Sequence, residues 1–293
     1  DIVRRLPEEI VFIETDERMV TYIACGKVNY QIVGMSSVEY PDLPSFEQTD
    51  RITLNAKILR DMIRQTVYAV SENTAKPIYT GSLYEIEDGV FKIIAIDGYR
   101  MAIRSENVDS ESKNRFVVPG KTQHEVLKLL TDDEENTEII IGQRHITFKI
   151  KNYRIISRLI EGTFIEYKSA IPKETKTEVV INTRTIIDAV ERMSLLNNDR
   201  IQSPVRCIFS DDEIKLSCTS AVGRANDVIS VPIIGESVEI GFNNRYLLDA
   251  LKNADTDEIK LILNGSLTAM IVKPVKGDSY LSIVVPMRLA NES

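Results

Sequence analysis

One pattern occurs three times along this chain, and that repetition restricts the fold more than any other feature. The clearest copy runs from Lys121 to Tyr167. It begins as a helix, with Val126, Leu127, Leu129 and Leu130 on an apolar stripe and Lys121, Glu125 and Lys128 on the other faces. An acidic turn from Thr131 to Asn136 follows, then alternating runs at Glu138 to Ile141, Ile146 to Ile150 and Tyr153 to Arg158. Gly142 to His145 and Lys151-Asn152 read as the turns between them. Asn243 to Met287 repeats the order, with a helix at Tyr246 to Leu251, an acidic turn at Asp255 to Glu258, and strands at Ile259 to Leu263, Thr268 to Lys273 and Tyr280 to Val285. Asp1 to Asp42 does the same, with a helix remnant at Ile2 to Leu6 and strands at Ile10 to Glu14, Met19 to Ala24 and Asn29 to Val33.

A second pattern occurs twice, at Arg51 to Glu106 and at Glu178 to Pro232. Its first copy has a strand at Ile52 to Leu54, a helix at Ala56 to Val70, a strand at Ser82 to Ile86 and a long strand at Val90 to Arg104. Its second has Val179 to Ile181, a helix at Arg184 to Leu196, Val205 to Phe209 and Glu213 to Val231. Repeats this long are duplicated domains rather than solenoid units. The chain therefore reads as an α+β protein with two complete domains, 50–175 and 176–293, after half of a first one, 1–49. It starts with Asp1, inside what should be a helix, so a fragment of a three-domain protein is expected.

No run of 18 apolar residues is present, so no spanning helix is expected. Three cysteines, Cys25, Cys207 and Cys218, without CxxC spacing suit buried thiols in a reducing cytosol. The net charge of −8 argues by itself against nucleic-acid binding, but distribution decides. The acids cluster in turns, at Asp109 to Glu111, Asp132 to Glu135, Asp211 to Glu213 and Asp255 to Glu258. The helices carry the cations. Lys57, Arg60 and Arg64 share one face of a helix whose Leu59, Met62, Ile63, Val67 and Val70 pack inward. Arg184 and Arg192, Lys121 and Lys128, and Arg245 and Lys252 follow suit. For any single helix this is a solvated face. In every repeat at once, it also suits a positive lining that holds a polyanion through phosphates.

A search for chemistry finds little. The two histidines, His124 and His145, have no Cys or carboxylate at metal-ligand spacing, so no metal or other cofactor is expected. No Gly-rich phosphate loop and no GxSxG elbow are present. Asp97-Gly98-Tyr99-Arg100 is the one compact polar cluster within a strand pattern, either an acid–Arg pair or a bulge or turn. The near-terminal run Ile283 to Leu289 is strongly apolar, either a buried strand or one wall of a cleft with an adaptable Met287.

Taken together, these residues resemble the bacterial sliding clamps, the beta subunits of DNA polymerase III. The resemblance runs from Asp1-Ile2-Val3-Arg4-Arg5-Leu6-Pro7 to Val285-Pro286-Met287-Arg288-Leu289. Its most specific pieces are Val38-Glu39-Tyr40-Pro41-Asp42, Ala95 to Met101, Leu159 to Phe164, Glu239 to Asn243 and the tail Pro286-Met287-Arg288-Leu289. It implies repeated DNA-clamp domains, with helices lining a channel and antiparallel sheets outside, in a homodimeric ring around duplex DNA. It also implies a pocket between the second and third domains. There, Gln-Leu-x-Leu-Phe-like segments of the replicative polymerase alpha subunit, the clamp loader delta subunit and other clamp-binding proteins dock.

The pocket positions that the resemblance carries over are Thr80, Ile96, Gly98, Tyr99, Arg100, Met101, Ile165, Ser169, Ala170, Ala269, Ile283, Val284, Val285, Pro286, Met287, Arg288 and Leu289. In that setting Met287, Leu289, Val284 and Met101 would meet the apolar anchors, and Arg100 with the backbone near Gly98 would orient the peptide. A loop matching Thr74, Ile78 and Tyr79 would touch DNA. Tyr30 and Ile32 would meet Leu195 and Leu196 of the next subunit. Ile165, Thr80 and the tail Ala290 to Ser293 depart from many relatives. Two other readings make different demands. An enzyme using Asp97, Arg100 and Cys207 needs a deep polar pocket with a perturbed carboxylate or thiol. A protein-binding repeat scaffold needs no common channel for its basic helices.

Overall fold

The computed structural model describes residues 1–7, 10–40, 48–131, 135–196 and 203–289. Pro41-Asp42, Asp132 to Glu134 and the Ala290 to Ser293 tail, all singled out above, lie outside the described residues. The chain forms two units, Asp1–Phe46 and Glu47–Ser293.

The first unit is an antiparallel meander of β1 (Val11–Thr15), β2 (Val20–Cys25) and β3 (Val28–Val33). Its turns are set locally. Asp16 Oδ1 accepts from the backbone amides of Arg18 and Val20, both at 2.9 Å, and Met19 takes a positive φ of 62° between the strands. The expected helix remnant is only a 3-10 turn, Val3–Arg5, closed by Leu6 and Pro7.

The second unit holds the two complete repeats. The first comprises β4 (Gln48–Asn55), α1 (Ala56–Val67), β5 (Gly81–Glu87), β6 (Val90–Ile96), β7 (Arg100–Asn107), β8 (Asn114–Pro119), α2 (Gly120–Leu129), β9 (Asn136–Gly142), β10 (His145–Ile150) and β11 (Tyr153–Arg158). The second comprises β12 (Thr177–Asn182), α3 (Thr183–Ser194), β13 (Val205–Ser210), β14 (Glu213–Ser220), β15 (Gly223–Ser230), β16 (Ile233–Gly235), β17 (Val238–Phe242), α4 (Asn244–Lys252), β18 (Glu258–Leu263), β19 (Met270–Pro274) and β20 (Tyr280–Val284). These are the expected repeats with two differences. Each long strand folds back into a hairpin, β6–β7 and β14–β15. The strands β8 and β17 before the second helix of each repeat were not anticipated.

Three helices start on the same device. Asn55 and Asn182 end β4 and β12, Asn243 follows β17, and each side-chain oxygen accepts from backbone amides of the first helical turn. α2 starts instead after Pro119, without a side-chain cap. The apolar stripe of α1 behaves as its spacing demands, with Leu59, Met62, Ile63 and Val67 buried in the first repeat's core. α3 buries Ile186, Val190 and Met193 in the second core.

The sheets do not respect the repeat boundary. Two four-stranded sheets, β11-β10-β9-β4 and β15-β14-β13-β17, belong to one repeat each. The third sheet has nine strands in the order β16-β12-β18-β19-β20-β7-β6-β5-β8. The repeats meet where β20 pairs antiparallel with β7, Tyr280 opposite Arg104 and Val284 opposite Arg100. A small core lies on one face of that junction, built from Leu83, Met101 and Phe164 of the first repeat and Ile271 and Ile283 of the second.

Tyr84 is fully buried between Phe91 and Phe116, yet its hydroxyl has no hydrogen-bond partner among the described residues. Removing an unpaired buried hydroxyl removes a desolvation penalty. Tyr84→Phe is therefore expected to leave stability in urea unfolding unchanged or raised by up to about 1 kcal/mol. Asn182→Ala, which removes a cap, should lower it by about 1 kcal/mol.

Candidate functional site

At the junction of the two repeats a cleft of about 510 Å3 opens beside the β6–β7 turn. Its walls come from the loop after α1 (Val70, Ser71, Glu72, Asn73, Ala75, Lys76, Tyr79), the turn itself (Ile96 to Arg100), Ile165, and the start of α4 (Arg245, Tyr246). The Asn243 cap fixes that helix start, accepting from the amides of Arg245 and Tyr246. The turn is fixed by Asp97, whose Oδ1 accepts from the amides of Tyr99 at 2.8 Å and Arg100 at 3.0 Å, while Gly98 takes a φ of +94°. The cluster noted in the sequence is thus a hairpin turn. It presents Tyr99 outward, stacked on Tyr246 at 5.7 Å between ring centres.

Arg100 turns the other way and is only 6% exposed. Its Nε donates to Asp97 Oδ2 at 2.9 Å and its Nη1 to Asp249 of α4. The guanidinium lies 4.6 Å from the Tyr246 ring centre and 5.4 Å from that of Tyr68. Burial pulls its pKa down, but the Asp97 and Asp249 carboxylates outweigh burial and hold it above its ordinary value. The acid–Arg pair is real, and it ties the turn to α4. Nε is engaged within the first repeat by Asp97, and Nη1 across the repeat boundary by Asp249.

Of the expected pocket positions, Ile96, Gly98, Tyr99, Arg100 and Ile165 line the cleft. Thr80, Met101, Ser169, Ala170, Ala269 and Ile283 to Leu289 do not. Met101 and Ile283 are buried in the junction core and Val284 in the second repeat's core, so these three offer no apolar surface to a ligand here, while Ala269 packs half-buried against the junction core. Thr80 Oγ1 donates to Pro77 O at 2.7 Å and Ser169 Oγ to Glu166 O at 2.8 Å.

The tail is docked rather than frayed. Val285 N donates to Tyr99 O at 2.9 Å, and Met287 N to Gly241 O at 2.8 Å. Gly241 permits this approach, because a Cβ there would sit 2.6 Å from Leu289 Cδ2 and 3.0 Å from Met287 O. Arg288 is exposed, while Pro286, Met287 and Leu289 are half-buried. Sequence reasoning missed Tyr246, Arg245, Lys76 and Glu72 as lining residues. Arg245 and Tyr246 had the signal of following the quoted Glu239 to Asn243, and Lys76 that of lying between the quoted Thr74 and Ile78, whereas Glu72 had none.

The DNA-loop positions divide. Thr74 is exposed, Ile78 packs on the junction core, and Tyr79 lines the cleft with its ring edge-on to Phe164 at 5.9 Å. The helix cations are mostly matched by acids. Arg64 bridges Asp61 at 3.4 Å and Asp255 at 2.5 Å, Arg184 bridges Asp188 at 2.8 Å, and Arg192 bridges Asp227. Lys57 is exposed and Arg60 half-buried. Tyr30 and Ile32 are exposed on β3, an edge strand. Leu195 is 83% exposed just after α3, and Leu196 packs partly on the second core.

The enzyme reading fails on its thiol. Cys207 sits on β13, away from the cleft lining, and burial pushes its pKa up to about 12. Among the described residues no three His, Cys, Asp or Glu side chains gather as metal ligands, and no helix is long and apolar enough to cross a membrane.

Comparison with known proteins is consistent across the second unit and beyond. Residues 53–166 match the family described as DNA polymerase III beta subunit, central domain, and residues 168–288 match its C-terminal domain. The chain is 32% identical over 293 residues to a protein of Bacillus subtilis named beta sliding clamp, covering 98% of this chain and 78% of that protein. A protein of the same name from Halalkalibacterium halodurans is also 32% identical, over 295 residues, with 98% and 78% covered. Among solved structures, the DNA polymerase sliding clamp of Bacillus subtilis matches with a TM-score of 0.94 at 32% identity, covering 99% of this chain and 77% of that one. The sliding clamp of Pseudomonas aeruginosa matches at 0.90 and 26%, covering 99% and 80%.

Two outcomes follow from the site. Arg100→Ala leaves Asp97 and Asp249 facing each other without their cation, and should lower unfolding stability by about 3 kcal/mol or more in urea titrations. Cys207 should resist Ellman's reagent at pH 8 in the native protein and react once urea unfolds it, because its thiol is ionised only near pH 12.

Proposed function

Because the chain belongs to the DNA polymerase III beta-subunit family of bacterial sliding clamps, we propose that it closes into a ring of two copies on duplex DNA and holds polymerases through the junction cleft. As a family member it is a non-catalytic processivity factor whose partners are DNA and DNA polymerase. The finer reading takes 1–49 as part of a first clamp domain, 50–175 as a second and 176–293 as a third. It also places the protein in the cytoplasm.

The cleft is the observation that carries the peptide reading. It lies between two repeats, has aromatic and aliphatic walls (Tyr79, Tyr99, Tyr246, Ile96, Ile165), and sits beside backbone groups of the Gly98 turn. Such a surface suits the Leu and Phe side chains of a short Gln-Leu-x-Leu-Phe-like segment, whether from the polymerase alpha subunit or the clamp loader delta subunit. With Arg100 held by Asp97 and Asp249, the other cations of the lining are Lys76 and Arg245, the latter bridged to Glu72 at 3.4 Å. Tethering then raises the polymerase's effective concentration at the template.

Ring closure is supported by the repeat logic of the sheets. At β20–β7, the last strand of one pattern pairs with the last strand of the other. β3 and β15 are strands of those two kinds, and each is the last strand of its sheet, as is β11. Head-to-tail pairing of β3 with β15 between two copies would bring Tyr30 and Ile32 toward Leu195 and Leu196. DNA contact by Lys57, Arg60, Arg64, Arg184 and Arg192, and by the loop of Thr74, Ile78 and Tyr79, would be nonspecific and through phosphates.

Fluorescence anisotropy with a labelled Gln-Leu-x-Leu-Phe peptide tests the central claim. Saturable binding is expected, weakened about tenfold or more by Ile165→Asp in the cleft wall and less by Met287→Ala in the docked tail. A folded wild-type protein that does not bind would sink the tethering reading.

A further inference from the structure

Between β11 and β12 the chain crosses one face of the nine-stranded sheet as a strap, residues 159–171, and this strap supplies Ile165 to the cleft. Its backbone is tied at the start, where Leu159 N donates to Arg144 O and Ile160 N to Val117 O, both at 2.9 Å. Further along, side chains do the holding. A Cβ at Gly162 would meet Ile78 at 3.4 Å, and the Phe164 ring sits edge-on to Tyr79. The last anchor is polar. The Tyr167 hydroxyl donates to Glu85 Oε2 at 2.6 Å, with both residues buried and Glu85 only 6% exposed.

A carboxylate there is unexpected on packing grounds. Glu85 lies on β5 in the sheet that the strap covers, and Leu83 of the same strand joins the apolar junction core. A buried carboxylate is costly unless hydrogen-bonded. The nearest cation, Arg115 on β8, is 3.9 Å away, beyond hydrogen-bond reach, and is itself shared with Glu166 of the strap at the same distance. The Tyr167 hydroxyl is therefore the close partner. A short bond to a carboxylate is directional, whereas the apolar contacts of Phe164 alone would tolerate a shift of the strap.

We infer that the Glu85–Tyr167 hydrogen bond is a positioning device for the cleft. It fixes the strap and so sets where Ile165 stands opposite Tyr99 and Tyr246. Ile165 lies between the two anchored rings, Phe164 and Tyr167, so a displacement of either is passed directly to it. Burial, followed by the Glu85 carboxylate, raises the Tyr167 phenol above its ordinary pKa, which keeps it a donor at all physiological pH values. Neither Glu85 nor Tyr167 lines the cleft, so neither would touch a bound peptide. The inference rests on the cleft being the peptide site.

The test pairs peptide anisotropy with hydrogen exchange on the full chain. Tyr167→Phe removes only the donor, and should speed amide exchange across 161–170 while weakening the Gln-Leu-x-Leu-Phe peptide about fivefold or more. Glu85→Gln keeps an acceptor and should stay within about twofold of wild type. Glu85→Ala removes the acceptor and should repeat the loss, which covers the case where Tyr167→Phe does not fold. Peptide binding unchanged in Tyr167→Phe, or exchange unchanged in the strap, overturns the inference and leaves the bond a purely structural one. If the wild type binds no peptide, the proposed function fails, and the strap's exchange alone decides whether the bond positions it.

Discussion

The pairing of β20 with β7 is the constraint on which the rest depends. Five residue pairs, from Tyr280–Arg104 to Val284–Arg100, turn two repeated domains into one continuous sheet. Both faces of the seam are then filled. On one side Met101 and Ile283 enter the junction core. On the other, Tyr68 reaches Tyr280 at 3.0 Å and Ser282 at 2.9 Å, and Gln65 joins Arg104 to Asn253. Sheet pairing fixes the two repeats along the strands, and the polar links between α1, α4 and the sheet fix their rotation. The cleft gains its shape from this, since its walls come from both repeats.

Arg100 shows how much of that geometry is electrostatic. It stands at the last pair of the seam and ties the β6–β7 turn to α4 through Asp97 and Asp249, between two tyrosine rings. Removing one member of a buried triad is far more damaging than the triad's net contribution, because the remaining charges lose their solvent substitute. A buried arginine held by two carboxylates is a poorer ligand for a passing peptide than a free one, and a good hinge pin. The side chains free to meet a ligand are those around it, Tyr99 and Tyr246, whose stack covers the pin.

Much of this was legible in the sequence. The alternation of Glu138 to Arg158 and the stripe of Leu59, Met62, Ile63 and Val67 are period signals strong enough to locate strands and helices. The repetition then reported the domain plan. The β6–β7 hairpin was harder, because alternation continues through Ala95 to Arg104 and only Gly98 breaks it. β8 was hidden by its polar start, Asn114-Arg115, and by Pro119 at its end. Of the site, the turn stood out as a polar cluster in the residues themselves, while its place in a pocket, and Ile165, were reached through resemblance. Tyr246 and Lys76 were not, since their neighbours in the cleft are distant in sequence. Nor could the sequence reveal that Arg100 is spoken for, because Asp249 lies on a helix of the other repeat. Met101 and Val284 fell on the wrong side of the same limit. An apolar residue next to a cleft and one beneath it have the same pattern.

The acidic balance of the chain and its proposed contact with DNA are compatible for a reason visible in the ion pairs. Arg64, Arg184 and Arg192 each hold a carboxylate, on Asp255, Asp188 and Asp227, and all three pairs are substantially exposed. Exposed pairs contribute little, so exchanging a carboxylate for a phosphate changes the energy of the cation only slightly. A lining of unpaired cations would instead gain strongly from each phosphate, and strong contacts resist translation along a duplex. Paired cations keep each contact weak and replaceable, which is the condition for holding a polyanion while sliding on it. Net charge sums over the whole surface and so misses this. What matters is the exchange energy at each arginine, and Asp255, Asp188 and Asp227 are the acids that keep it small at these three.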